Sequence, residues 1–159
     1  MSVQVGITAS GIYIPYSRIP RKLIADAWGR GAQKGERSVA GTDEDAVTMA
    51  VEAVRQCFHT IRREDVTGLY FASTTTPYVE KSHATLVATA CDLADSSFTS
   101  DFSNSTKSAA DALKMALDAA ASTPETQTVV VGSDCRKGYP KSDKEQLLGD
   151  AAAAVAVGS

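Results

Sequence analysis

Residues 68–75, GLYFASTT, form a short apolar run that is rich in β-forming residues and ends in hydroxyl side chains. A run of this length and composition predicts a buried strand. From there the pattern alternates, with a helix predicted over 82–94, a strand over 97–103, a helix over 105–121 and a strand over 128–132. Helical crossovers join parallel strands and cover the faces of the sheet. The stretch therefore predicts an α/β fold with strands buried on both faces.

The flanking segments extend this alternation in both directions. The clearest helix is predicted over 43–60, because apolar side chains recur there at three- and four-residue steps and Thr42 or Asp43 can cap its first turn. Cys57 lies in that apolar stripe and is predicted to be buried. The other predicted elements are a strand or bent hairpin over 3–14, a helix over 21–28, an exposed loop over 29–41 and a final strand over 151–157.

The overall composition limits the class of protein. The 159 residues suffice for one domain, and a formal net charge of −3 provides no basic field for nucleic acid or anionic lipid. No segment approaches the roughly eighteen continuous apolar residues that span a bilayer. Three cysteines without paired spacing favour neither a disulfide framework nor a metal site. We therefore expect a cytoplasmic protein that binds no metal, nucleic acid or membrane.

Three of the predicted strands end in small polar residues, at 73–76, 103–107 and 133–136. Ligands of α/β proteins bind at the carboxyl ends of the strands, so all three segments are candidates for a binding site. The same hydroxyl side chains serve equally well as caps of the following helices. The segments alone do not decide between these two roles.

A resemblance to a known family adds to this pattern. It is carried by KGERSVAGTDEDAVTMAVEA (34–53), FASTTTPYVEKSHATLVATA (71–90), DFSNSTKSAADAL (101–113) and VVVGSDCR (129–136), followed by GDAAAAVAVGS (149–159). In this order the stretches resemble the first half of a thiolase-superfamily subunit. The similarity is closest to archaeal and bacterial hydroxymethylglutaryl-CoA synthases, and ketoacyl-ACP synthase III is more distant.

The resemblance implies a specific architecture. Residues 1–159 would form a single thiolase-like N-terminal half-domain, a five-stranded mixed sheet with covering helices. A complete subunit of that superfamily stacks two such halves in layers, so the third predicted helix is expected to be buried at the centre. Left alone, such a half is expected to expose an apolar helix layer, which favours a partner chain or a homo-oligomer.

The resemblance also implies where chemistry would occur. In the family, a nucleophilic cysteine at the start of the buried helix accepts the acyl group of a coenzyme A thioester. Matching residues 101–113 to the family's motif puts Thr106 at that position. The family's general acid/base glutamate corresponds to Thr74. Since a threonine hydroxyl neither becomes an anion nor transfers a proton as an acid or base near neutral pH, the resemblance implies that this half supplies no catalytic residue.

Three residues are left as candidate substrate-binding residues for a coenzyme A thioester: Thr74, Thr106 and Lys107, of which Lys107 matches the archaeal pattern. No bound cofactor is implied. Ala151 and Ala153 stand where the family usually has glycines. Their added methyl groups fit a pocket that no longer has to admit an acyl-pantetheine chain, although smaller neighbours could compensate for them.

Other reactive side chains are weaker candidates. Cys135 follows a strand end beside Arg136 and Lys137, which would lower the pKa of its thiol if they approached it, yet the family has no nucleophile there. His83 is expected to cap a helix or to be solvated. His59, at the end of a helix, is expected at the surface.

Three functional hypotheses follow. The first is a non-catalytic or partly degenerate half-subunit of acyl-CoA metabolism that assembles with a second thiolase-fold or acyl-CoA-binding chain, as a hetero- or homo-oligomer. The second is an acyltransferase half that forms or cleaves C–C bonds of acyl-CoA thioesters while a second chain supplies the catalytic residues. The third is a fragment of a longer synthase-like protein.

Overall fold

The computed structural model describes residues 4–159, so the start of the predicted first strand, at Val3, lies outside the described residues. The elements follow in chain order as β1 (Gly6–Tyr13), β2 (Ser17–Pro20), α1 (Arg21–Trp28), β3 (Glu36–Val39), α2 (Ala46–Cys57), β4 (Gly68–Ser73), α3 (His83–Ala90), β5 (Phe98–Ser103), α4 (Ser108–Ser122), β6 (Thr128–Asp134), α5 (Asp143–Leu147) and β7 (Ala151–Gly158). A short 3-10 turn, Arg63–Asp65, precedes β4.

A five-stranded mixed sheet in the order β1-β7-β6-β4-β5 organises the chain, which confirms the predicted sheet. β4 pairs in parallel with both β5 and β6, whereas β7 runs antiparallel to β6 and to β1. The three parallel strands are those whose polar ends the sequence singles out. Their carboxyl ends therefore lie at one edge of the sheet. None of the helices within residues 4–159 has the length and apolarity that crossing a membrane requires.

The predicted exposed loop over 29–41 is partly wrong. Its later part forms β3, which pairs antiparallel with β2 in a separate two-stranded sheet, from Ser17 opposite Val39 to Pro20 opposite Glu36. These short strands are largely polar, so they lack the apolar run or alternation that identifies a strand from sequence. The helix between them, α1, is confirmed at its predicted bounds, with Gly29 in the left-handed conformation at its end.

Helix α2 begins later than predicted because its cap is Asp45, and neither Thr42 nor Asp43 caps it. The Asp45 carboxylate accepts hydrogen bonds from the amides of Val47 and Thr48, both at 2.8 Å, and the Thr48 hydroxyl accepts one from the Asp45 amide at 2.8 Å. This reciprocal pair is a capping box. The predicted apolar stripe is confirmed, and Cys57 at its end is buried.

The two faces of the sheet carry different helices. α2 and α3 pack on one face and enclose the larger core, which includes Met49, Phe71 and Val131. α4 packs on the opposite face over a smaller core that includes Tyr70 and Val130. Among the elements described here, α4 is the only helix on that face. The parts of the sheet on either side of α4 are therefore not covered by a helix.

Helix α4 is buried on one side only within the described residues, and its burial at the centre of a complete subunit stays a prediction. A line of small residues, Ser108, Ala112, Ala116 and Ala120, is buried against the sheet. The opposite side is exposed and carries charged side chains, so the outer surface of α4 differs from the expected apolar helix layer. Charged groups keep their hydration on an exposed face and lose it in a dry layer, which accounts for this orientation.

Strand β1 approaches α2 closely at Gly11. A side chain at this position would overlap the carbonyl oxygen of Ala53 and come within 2.8 Å of the Gln56 Cβ atom. The Ile12 amide, next along the strand, donates to the Gln56 side chain at 3.0 Å. Glycine at position 11 thus permits the contact between β1 and α2.

We predict that Gly11→Ala lowers the free energy of unfolding by about 1–3 kcal/mol, because the methyl group forces β1 away from α2. Urea denaturation monitored by circular dichroism measures the change. Gly6→Ala is the matched control, since the space beside Gly6 on the same strand is open. Equal stabilities of the two variants would contradict the close approach.

Candidate functional site

The polar ends of β4 and β6, the turn before α4 and the start of β7 enclose a cavity of about 150 Å³. Thr74 and Thr106 both line it, although 32 positions separate them in the numbering of the chain. Asp134 and Ala151 complete the walls from the other two strands. The three polar strand ends therefore contribute to one cavity, and two of the three candidate residues line it.

Asp134 holds one wall of this cavity together. Its Oδ1 atom accepts hydrogen bonds from the Ser73 hydroxyl at 3.1 Å, the Thr74 amide at 2.7 Å, and the hydroxyls of Thr74 and Thr75, each at 3.0 Å. The Thr75 hydroxyl in turn accepts a bond from the Cys135 amide at 2.9 Å. The end of β4 is thereby fixed to the end of β6.

Asp134 belongs to the polar strand end at 133–136, but no sequence pattern predicts this role for it. The separation of 59 to 61 positions between Asp134 and the hydroxyls it binds is bridged only by the parallel pairing of β4 and β6. A carboxyl residue at a strand end next to a hydroxyl-rich strand end is the signal that could have indicated this contact.

The opposite wall is the turn between β5 and α4. Asn104 adopts a left-handed conformation with φ of 69°, which turns the chain sharply after β5. The Ser105 hydroxyl accepts a hydrogen bond from the Lys107 amide at 3.1 Å, and the Ser108 hydroxyl donates to the Ser103 carbonyl at 3.1 Å. These bonds place the exposed Thr106 at the amino end of α4, where the helix dipole favours electron-rich groups.

Lys107 lies outside the cavity lining. Its ammonium group pairs with the Asp111 carboxylate at 2.9 Å, one turn further along α4, and both side chains are largely exposed. A ligand in the cavity could meet Lys107 only at the cavity rim.

The cavity walls offer hydroxyls and backbone groups to a ligand rather than a nucleophile. The hydroxyl of Thr74 is already committed to Asp134, and no side-chain hydrogen bond to Thr106 occurs among residues 4–159. Hydroxyls and amides can bind a carbonyl or thioester oxygen, but activation of a hydroxyl as a nucleophile requires an adjacent base. Within the described residues, no group of three or more His, Cys, Asp or Glu side chains could hold a metal ion.

Cys135 is half-buried beside the end of β6. Burial, together with the nearby carboxylates of Asp150 and Asp45, raises the pKa of its thiol to about 11. Arg136 and Lys137, which follow Cys135 in the sequence, therefore do not lower the pKa of the thiol, because burial and the carboxylates dominate. The thiol is therefore held in its unreactive neutral form near neutral pH.

His83 is buried, which corrects the expectation of a solvated imidazole. It is the first residue of α3, and its Nδ1 atom lies 2.9 Å from Asp101 Oδ2. Asp101 also accepts hydrogen bonds from the amides of His83 and Ala84, so it caps α3. The Nε2 atom accepts the Tyr78 amide at 3.3 Å. His83 thus has a structural environment, whereas His59 is exposed as expected.

The segment before β7 is held by a buried acid. Asp150 accepts a hydrogen bond from the Ala40 amide at 2.9 Å and lies 3.9 Å from the Arg37 guanidinium. Ala151 follows it and lines the cavity, whereas Ala153 is exposed outside the lining. Of the two alanines, only the first therefore narrows the cavity.

We predict that Asp134→Ala lowers the free energy of unfolding by about 2 kcal/mol or more, because it leaves three hydroxyls and an amide without their common acceptor. Asp134→Asn should cost less, since its amide oxygen retains an acceptor. Asp95→Ala, at an exposed acid, is the control and should change stability by less than about 0.5 kcal/mol. Chemical denaturation measures all three, and an Asp134→Ala variant as stable as the control would contradict this role.

We also predict that alkylation of Cys135 by iodoacetamide rises about tenfold per pH unit from pH 7 to pH 9, because a thiol with a raised pKa is almost wholly protonated in this range. Cys135→Ser identifies the signal, since Cys57 and Cys91 are buried. A rate that levels off below pH 8 would reveal an activated thiolate and contradict the raised pKa.

Comparisons with known proteins agree with this architecture. No protein-family model matches the chain. The hydroxymethylglutaryl-CoA synthase of Aeropyrum pernix is 32% identical over 161 residues, covering 96% of this chain and 45% of the relative. That of Pyrococcus horikoshii is 31% identical over 157 residues, covering 97% of this chain and 45% of the relative. The chain thus spans about half the length of the curated relatives it matches.

Solved structures show the same fold. A crystal structure of an HMG-CoA synthase complexed with CoA superposes with a TM-score of 0.92 at 21% identity, covering 98% of this chain and 42% of the other. A 3-oxoacyl-(acyl-carrier-protein) synthase III gives a TM-score of 0.89 at 18% identity, covering 98% of this chain and 50% of the other. At these identities the likeness concerns the fold, and it confirms the thiolase-like arrangement of sheet and helices.

Proposed function

Starting from a chain that has the thiolase fold and resembles the N-terminal half of a hydroxymethylglutaryl-CoA synthase, we propose a non-catalytic half-subunit of acyl-CoA metabolism. In this proposal, the strand-end cavity binds the acyl-pantetheine end of a coenzyme A thioester. The chain then acts with a second thiolase-fold or acyl-CoA-binding chain.

The observation that carries the proposal is the shared position of Thr74 and Thr106. The resemblance puts the family's acid/base and nucleophile at these two residues, and both line the same cavity. In this proposal the site keeps its place at the strand ends while hydroxyls replace both reactive side chains. A solved relative of the same fold is complexed with CoA, which supports the choice of ligand class.

The hydroxyls favour binding over turnover. Thr106 at the amino end of α4 can donate to a thioester oxygen, where the helix dipole adds to the attraction. Asp134 offers little as a base, because its Oδ1 atom already accepts four hydrogen bonds at the end of β4. Acyl transfer to Thr106 would need a base that its neighbours do not supply.

Exposed apolar side chains on the α4 side of the sheet support a partner. Ile12 on β1 is 58% exposed and Phe98 on β5 is 62% exposed, at opposite flanks of the sheet. A partner that covers this side of the sheet would bury both side chains. The chain spans about half the length of the curated relatives it matches, and in this proposal a second chain covers the same surface.

Thermal-shift and calorimetric titrations with acetyl-CoA and free CoA test the binding. We predict a concentration-dependent rise in the melting temperature, because a ligand that binds only the folded state stabilises it. Ala151→Leu should abolish the shift by filling the cavity. Ala153→Leu, two residues along the same strand and outside the lining, should retain it.

The outcomes separate the functional hypotheses. No shift with the wild-type chain, or an equal shift with Ala151→Leu, would contradict binding in this cavity. Thioester turnover that appears only when a second chain is added, and that persists in Thr106→Ala, would identify the alternative function, an acyltransferase half whose partner supplies the catalytic residues.

A further inference from the structure

The exposed side of α4 carries a regular line of charges, formed by Lys107, Asp111, Lys114 and Asp118. Their spacing of four, three and four residues puts them on one side of a helix, opposite the buried line from Ser108 to Ala120. We call this line the α4 charge stripe. It consists of two ion pairs, with Nζ to carboxylate distances of 2.9 Å for Lys107 and Asp111 and 2.6 Å for Lys114 and Asp118.

The order of charges along the stripe is self-complementary in one orientation only. Read from the start of α4, the signs are plus, minus, plus and minus. Read backwards they are minus, plus, minus and plus, and the spacing of four, three and four residues is unchanged. Two antiparallel stripes therefore place Lys107 opposite the other copy's Asp118, and Asp111 opposite the other copy's Lys114. Two parallel stripes would place like charges opposite each other.

Small and apolar side chains border the stripe. Ala110 and Ala121 are exposed and small enough to let a second helix approach. Met115 is 48% exposed and Leu117 is partly exposed, so both offer apolar surface beside the charges. Among residues 4–159, nothing packs over this side of α4.

We propose that a second copy of this chain docks on the α4 charge stripe, with the two α4 helices antiparallel about a two-fold axis near residues 112 and 113. This inference rests on the partner that the proposed function requires and deepens it by naming that partner. In the dimer, each aspartate lies between its own lysine and a lysine of the second copy. Such an interface is isologous, because the same surface is used by both copies.

The charges set the orientation of the dimer more than its strength. Exposed ion pairs add little stability, and charges that lose water in an interface offset part of their attraction. Complementary charges nevertheless fix the register and disfavour other arrangements. We therefore expect a weak dimer that salt dissociates, since screening acts on exposed charges.

Inversion of one ion pair at a time tests the orientation. Lys114→Asp with Asp118→Lys keeps the net charge, the composition and an ion pair within the helix, yet it makes all four contacts between antiparallel stripes repulsive. Adding Lys107→Asp and Asp111→Lys makes all four contacts attractive again. Inversion of the exposed pair Lys22 and Asp26 on α1 is the matched control.

Sedimentation velocity over a range of protein concentrations measures the dimer. We expect a wild-type dimer, a dissociation constant at least about tenfold higher for the single-pair inversion, and recovery in the fourfold variant and in the α1 control. A mixture of the 114/118 inversion with the 107/111 inversion should also recover the dimer, because their stripes are complementary.

A wild-type chain that stays monomeric at high concentration and low salt would overturn the inference, as would a dimer unaffected by the single-pair inversion. A monomer that still binds CoA would overturn this inference alone. A stripe-dependent dimer that binds no CoA would instead contradict the acyl-CoA part of the proposed function.

Discussion

The parallel pairing of β4 with β6 brings the Asp134 carboxylate to the hydroxyls at the end of β4. The hydrogen bonds that form there hold the candidate site together. In this register Ala72 lies beside Gly132, and Ser73 lies beside Ser103 of β5. The strand ends are thus level at one edge of the sheet. Asp134 then ties the last residues of β4 to β6, so that Thr74 is held facing the turn that carries Thr106.

The two sides of the sheet have different roles because their helices differ in chemistry. α2 is apolar on its inner side and packs so closely that only glycine is accommodated at position 11 of β1. α4 covers the other side with alanines and turns a line of ion pairs outward. The first side is a closed core, whereas the second side exposes both charges and apolar flanks, and the proposed partner docks there.

Much of this fold could be predicted from local sequence patterns, since buried strands such as β4 and β6 are continuous apolar runs and α2 has a regular apolar stripe. The misses come from contacts between distant residues. β3 forms by pairing with the distant β2, and His83 is buried because Asp101, 18 residues away on β5, binds both its ring and its amide. The cap of α2 was missed because four polar residues in succession, from Thr42 to Asp45, are all capable of capping.

The candidate site was predictable only in part. Strand ends and the family resemblance point to Thr74 and Thr106, which line a common cavity, and their role in binding stays a prediction. The direction of the Lys107 side chain and the common acceptor at Asp134 depend on side-chain partners that no linear pattern specifies. The raised pKa of Cys135 likewise depends on burial and on acids from other segments rather than on its basic neighbours in the chain.

The central claim is that the cavity at the strand ends has kept its place while losing its nucleophile, and intact-mass spectrometry after incubation with acetyl-CoA tests it most directly. The account predicts an unmodified wild-type chain. It also predicts that Thr106→Cys, which places a thiol at the amino end of α4, gains the mass of one acetyl group. A wild-type chain that acquires a covalent acetyl group at Thr106 would contradict the account.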